Sequence, residues 1–253
     1  MHRRRFLATA AGLSAAAGCL TGGSPTEPTT TEPVPPLSLA EQGIPSTICE
    51  EEIKPKTIRA IVEPRFGTSW NGLEIESKYL RRNQLTLADH QTVIGLRDDE
   101  RARAYPLTIL WWHEIVNDDF GGPVLITYCP LCGSGLVTDR LINNEPTRFL
   151  VSGLLWQAPG VYTAASELEN RTFVAYKNSS VVSEHVRNNA NLVMFDEATR
   201  SYWSQILGRA ICGPLEGERL VIRPSELTTW GDWKTRYPDT DVLLPPPYST
   251  VVE

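Results

Sequence analysis

Lysine is scarce in this chain. Of 24 basic residues among 253, only Lys54, Lys56, Lys78, Lys177 and Lys234 are lysines, and 30 acidic residues outweigh them to a net charge of −6. No basic stripe is present, which excludes nucleic acid as a partner. No apolar run reaches the roughly 20 residues that a spanning helix needs. There is no internal repeat. No G-x-S-x-G elbow occurs, and His113-Glu114 is followed by Asn117 where an H-E-x-x-H zinc helix requires a second histidine, so the commonest hydrolase signatures are missing. A single C-x-x-C pair is present, so the second half of a zinc ribbon is also missing.

What is present begins at the N-terminus. Arg3, Arg4 and Arg5 form a positive head, residues 6–18 are apolar or small, and Ala16-Ala17-Gly18-Cys19 closes the segment. Charge, short hydrophobe and small-residue site, in that order, read as a cleaved signal peptide over residues 1–19. Arg3-Arg4-Arg5-Phe6-Leu7 resembles a twin-arginine signal, and residues 13–19 resemble a lipobox with Cys19 as the lipidated residue. The expected location is the extracellular face of a cell membrane, with the membrane reached through that lipid anchor. Stable anchoring takes more than one acyl chain. Residues 20–38 are rich in Thr and Pro and read as a solvated spacer. Loss of the signal leaves 21 basic against 30 acidic residues, a balance of −9.

Residues 39–253 are long enough for one globular domain. Residues 37–90 read as irregular, with a short helix in 77–87. A hairpin is expected from 93–96 and 101–105, and a helix over 107–115 from the spacing of Leu107, Leu110, Trp111 and Ile115. Residues 123–128 read as a buried strand ending in the tight loop Cys129-Pro130-Leu131-Cys132-Gly133. Further strands are expected at 136–142, 147–151, 192–195, 202–207 and 219–223, with turns at Asn143-Asn144, Asp196-Glu197 and Glu216-Gly217. A short helix over 228–236 carries Trp230 and Trp233. The pattern predicts a β-rich α+β fold, a mostly antiparallel sheet or partly open barrel with a few short helices.

Several collinear motifs carry a resemblance. They are Ile58-Arg59-Ala60-Ile61-Val62-Glu63-Pro64-Arg65-Phe66, Val93-Ile94-Gly95-Leu96, Arg103-Ala104-Tyr105-Pro106-Leu107, Trp112-His113-Glu114-Ile115-Val116-Asn117-Asp118, Tyr128-Cys129-Pro130-Leu131-Cys132-Gly133, Val151-Ser152-Gly153-Leu154-Leu155, Leu192-Val193-Met194-Phe195-Asp196 and Tyr202-Trp203-Ser204-Gln205. Together they resemble the family described as a domain of unknown function, DUF3179, over residues 58–244. Residues 156–190 look like an insertion, and hold the sequons at Asn170 and Asn178, which would accept N-glycans. With the lipobox and acidic surface, this longer form resembles the version found in halophilic archaea. The family description implies no reaction.

The chemistry is therefore read from residues. After Cys19 is assigned to lipid, Cys49, Cys129, Cys132 and Cys212 remain, and an even number outside the cytosol suits disulfides. Three readings of the C-P-L-C loop stand side by side. As a metal site, its two sulfurs would be joined by His113, Met194 or Cys212, with Cys49 a further source, a soft donor set for a copper or zinc ion. As a redox site, the pair would cycle between dithiol and disulfide. As a structural feature, it would form a disulfide within the loop or pair with Cys49 and Cys212. His113 would be the nearby ligand or base. Trp112, Glu114, Asn117, Asp118, Tyr128, Trp203 and Gln205 are candidate pocket residues, whereas Asp196 reads as a turn cap. The expected function is metal binding or thiol redox chemistry in a tethered extracellular domain. The competing expectation is a non-catalytic surface module that binds a protein or glycan through the insertion.

Overall fold

The computed structural model describes residues 38–252 with the exception of 42–43, 45, 55–57, 77–79, 81–84, 100 and 158–189. The expected signal with Cys19, the spacer apart from Ser38, most of the 77–87 helix, and the bulk of the insertion with Asn170 and Asn178 lie outside the described residues.

The strands in chain order are β1 (Ile61–Glu63), β2 (Phe66–Gly67), β3 (Thr92–Asp98), β4 (Arg101–Pro106), β5 (Ile115–Asp119), β6 (Pro123–Cys129), β7 (Ser134–Asp139), β8 (Leu141–Ile142), β9 (Glu145–Pro146), β10 (Phe149–Gln157), β11 (Ala190–Asp196), β12 (Tyr202–Ser204), β13 (Arg209–Cys212), β14 (Ser225–Thr229), β15 (Asp241–Leu243) and β16 (Thr250–Val251). Among the described residues, two α-helices, α1 (Leu107–His113) and α2 (Trp230–Arg236), and a 3-10 turn at Ser46–Glu50 accompany them. The first sheet has the order β16-β1-β5-β6-β7, the second β10-β11-β12-β13 and the third β14-β3-β4-β15-β2, with β8-β9 a separate hairpin. Pairing is antiparallel except for β1 with β5 and β4 with β15. The fold is β-rich α+β, and among the described residues no sheet closes into a barrel.

The first sheet is the middle layer. On β6, Val124 and Ile126 enter a core shared with Val93, Leu96 and Tyr105 of the third sheet and with Trp233 of α2. The alternate residues Leu125 and Cys129 enter a second core with Phe149, Leu192, Met194 and Trp203 of the second sheet. A strand buried on both faces shows no polar alternation, which is why 123–128 is an unbroken apolar run. Each such side chain contributes about 1.5–3 kcal/mol on burial. Gly95 of β3 is needed for close approach. A Cβ there would meet the Trp233 ring at 2.3 Å.

The structure corrects several sequence expectations. The helix predicted over 107–115 ends at His113; Glu114 takes φ 55°, its N–H bonds to the Leu110 carbonyl, and Ile115 begins β5. A left-handed residue at the helix end stops the spiral, and the β-branched Ile115-Val116 pair then enters the sheet. Residues 219–223 form isolated bridges only, at Arg219 and Ile222. The Asp139 N–H donates to the Val221 carbonyl at 2.8 Å and the Arg223 N–H to the Val137 carbonyl at 2.9 Å. These residues thus cover the outer edge of β7 before the chain joins the third sheet as β14. The stretch read as irregular contains β1 and β2, and β14, β15 and β16 were not foreseen. Asn143 and Asn144 both take positive φ, at 52° and 65°, between β8 and β9, the turn chemistry expected of that pair.

Candidate functional site

The β6–β7 hairpin builds the site. Cys129 pairs with Ser134 at the end of the ladder, and residues 130–133 make the loop, with Gly133 at φ 63°. Left-handed backbone favours glycine at that point. Cys129 and Cys132 form a disulfide with Cα atoms 5.3 Å apart. Cys129 is fully buried, Cys132 half-buried and Leu131 exposed. Cys49 and Cys212 form the second disulfide, across 163 residues of sequence. Of the three connectivities open to four cysteines, this one keeps the C-P-L-C pair to itself. It also commits Cys212, a candidate ligand, to Cys49 in a separate cluster with Ile44, Ile48, Val193 and Ile211.

Behind the loop lies a buried polar network centred on Gln205. Its Nε2 donates to Thr127 Oγ1 and to the Ser134 carbonyl, both at 3.2 Å. Its Oε1 accepts from Ser134 Oγ at 3.1 Å and from Asn191 Nδ2 at 3.0 Å. Both donors and both acceptor positions of the amide are thereby used. Asn191 Oδ1 accepts in turn from Ser204 Oγ at 2.9 Å and from the Ile206 N–H at 3.1 Å. The network ties the start of β7, immediately after the disulfide loop, to β11 and to the turn after β12. Gln205 was picked out by its motif. Thr127, Ser134 and Asn191 were not, because a lone Thr, Ser or Asn in a strand carries no pattern.

Glu114, next to His113 in sequence, meets the end of β6 through its backbone. The Tyr128 N–H donates to the Glu114 carbonyl at 2.8 Å, so Glu114 stands across from the residue that precedes Cys129. His113 is buried, and its Nδ1 lies 2.7 Å from the Arg59 carbonyl. A carbonyl only accepts, so Nδ1 carries the proton. Burial lowers the imidazole pKa, with the Arg59 bond opposing. Burial also pushes the Glu114 carboxyl up to about 7.

The remaining candidates serve other places. Met194 is buried in the same core as Cys129. Asn117 is a clasp between strands: its Nδ2 donates to the Ile61 and Phe149 carbonyls at 3.2 and 2.9 Å, and its Oδ1 accepts from the Phe149 N–H at 2.7 Å. Asp118 accepts from Tyr105 and Arg103, both at 2.7 Å. Buried in the other core and beside this carboxylate, the Tyr105 hydroxyl has a pKa raised well above its ordinary value. Trp203 is buried and donates Nε1–H to Asp196 at 2.9 Å, while Trp112 is exposed. Asp196 also accepts from Thr199 N–H at 2.6 Å, the turn-capping role read for it. Asn117 and Asp118 thus face opposite sides of the first sheet, so the candidate pocket residues do not share one wall. Among the described residues, no group of three or more His, Cys, Asp or Glu lies close enough together to hold a metal ion, and no helix is long and apolar enough to cross a membrane.

No curated protein and no solved structure matches the chain. The sequence matches a protein family over residues 56–162 and 179–250, which takes in the disulfide loop, His113-Glu114 and the Gln205 network. The chain belongs to that family, described as "Protein of unknown function (DUF3179)".

Proposed function

We propose that this protein carries out thiol–disulfide exchange through Cys129 and Cys132. The observation that carries the reading is the local disulfide in a hairpin loop, with one sulfur residue half-buried and the other inside the core. A substrate thiolate attacks Sγ of Cys132, the more exposed of the two residues. The Cys129–Cys132 bond breaks, its electron pair leaves with Cys129 Sγ, and that thiolate takes a proton. A second substrate thiolate then attacks the substrate sulfur of the mixed disulfide and releases Cys132 as thiolate, which takes the second proton. The substrate dithiol becomes a disulfide, the protein gains two electrons and two protons, and an external disulfide reoxidises it by the reverse steps. The protons come from solvent at the exposed mouth of the loop, where Leu131 and Gly133 face water.

Copper or zinc binding by the same loop would require both sulfurs reduced and further ligands. The joined sulfurs and the lack of a three-ligand group among the described residues favour exchange over metal binding. The two disulfides also suit an oxidising compartment, and with the signal-like residues 1–19 they support a lipid-anchored extracellular location, reached by the twin-arginine route. The test is to equilibrate folded, full-length protein with a dithiol buffer and map thiols by mass spectrometry. Exchange predicts reversible appearance of thiols at Cys129 and Cys132 while Cys49–Cys212 stays closed. A Cys129–Cys132 bond that opens only on unfolding would overturn it.

A further inference from the structure

We infer that the partner of the Cys129–Cys132 loop is a cysteine-bearing polypeptide segment with apolar side chains beside its thiol. This rests on the exchange reading above and names its substrate class.

Two exposed apolar side chains stand at the loop, and a third lies on the sheet face packed over its core. Leu131, between the two cysteines, is 53% exposed. Ile206, in the turn after β12, is 55% exposed. The bonds of Gln205 to Ser134 and of the Ile206 N–H to Asn191 hold that turn beside the start of β7. Leu155 of β10 is 38% exposed and pairs with Leu192 of β11, which lies in the core that contains Cys129. Leu155 therefore lies on the face of the second sheet that turns toward the core containing Cys129.

The chain segments that carry the loop and these side chains hold no charged residue. None of residues 128–137, 152–157, 190–194 or 203–208 is Asp, Glu, Lys or Arg, in a chain where 21% of residues are. A small charged thiol finds no counter-charge in these segments to hold it. An extended segment with leucine or valine next to its cysteine covers Leu131, Ile206 and Leu155 as its thiolate reaches Cys132. Removing such surface from water favours the encounter without directional bonds.

The experiment uses Cys129→Ala full-length protein, in which Cys132 is a single reactive thiol. Two short peptides of equal net charge each carry one cysteine as a mixed disulfide with thionitrobenzoate. One has Leu and Val around the cysteine, the other Ser and Gln. Released thionitrobenzoate gives the second-order rate constant. The apolar peptide is expected to react at least about tenfold faster, the gain from covering about one leucine-sized side chain. Leu131→Ser with Ile206→Ser, both at exposed positions, should lower its rate to that of the polar peptide. Equal rates for the two peptides, or a preference that survives the double substitution, would overturn the inference and leave exchange standing. No reaction with either peptide would overturn exchange itself. Oxidised wild-type protein with two-cysteine versions of the peptides repeats the comparison without a core substitution.

Discussion

The two disulfides should differ in worth, and the difference follows from where their cysteines lie in the sequence. A cross-link stabilises chiefly by removing loop-closure entropy from the unfolded chain, and the removed entropy grows with the logarithm of loop length. Cys49 and Cys212 are 163 residues apart, Cys129 and Cys132 only 3. The same relation gives about 5 kcal/mol for the first bond and about 2 kcal/mol for the second. Total stability of a domain is about 5–15 kcal/mol. Opening the C-P-L-C bond therefore leaves most of the stability in place, as a cycling disulfide requires, whereas opening Cys49–Cys212 removes a large share. The assay is thermal unfolding of Cys49→Ala/Cys212→Ala beside Cys129→Ala/Cys132→Ala. At roughly 2–4 °C per kcal/mol for a chain of this size, the first pair should lose roughly 10–20 °C and the second roughly 4–8 °C. Equal losses, or a larger loss for the loop pair, would refute the reasoning and make Cys129–Cys132 a structural staple.

Other perturbations probe the neighbouring groups. Glu114 has its pKa raised to about 7 by burial, so the folded state holds its proton where the unfolded state has lost it. Its contribution is full below the unfolded value of 4.5 and gone as pH rises past 7, and Glu114→Gln should be more stable than wild type at about pH 8 by up to about 3 kcal/mol and equal to it near pH 4. Urea unfolding at the two pH values checks this. His113 acts in the opposite sense: its lowered pKa means that stability falls as pH drops below about 6.5, so His113→Gln should weaken the acid-side decline in a urea titration. Gln205→Leu strands Asn191 and Ser134 in a buried site and should cost about 2–4 kcal/mol, with faster hydrogen exchange at the Ser134 and Ile206 amides. Gly95→Ala forces a methyl into the Trp233 ring and should cost about 1–3 kcal/mol, visible as a shift in Trp fluorescence and a lower Tm.

How much of this was legible in the sequence depended on how local each signal was. The β3–β4 hairpin, the buried strand β6, the Asn143-Asn144 turn and the C-P-L-C loop were all read correctly, because each is fixed by a short run of residues. The helix over 107–115 was read two residues long, since Ile115 satisfies the helical spacing and nothing nearby marks Glu114 as a left-handed stop. β1, β2, β15 and β16 have two or three residues each, too few to show a period, and exist because distant neighbours pair with them. At the site, Cys129, Cys132, Glu114 and Gln205 were named in advance. That Gln205 reaches Thr127, 78 residues away, depends on the packing of two sheets, which no local pattern records.

The Cys49–Cys212 bond also has a topological consequence. Most of the domain, from before β1 to the end of β13, lies on the loop that it closes. A peptide bond cut anywhere on that loop leaves two pieces still joined covalently through the sulfurs. A nicked molecule would run as one band on a non-reducing gel and as two after reduction. Backbone damage by a protease on that stretch would not release half of the domain.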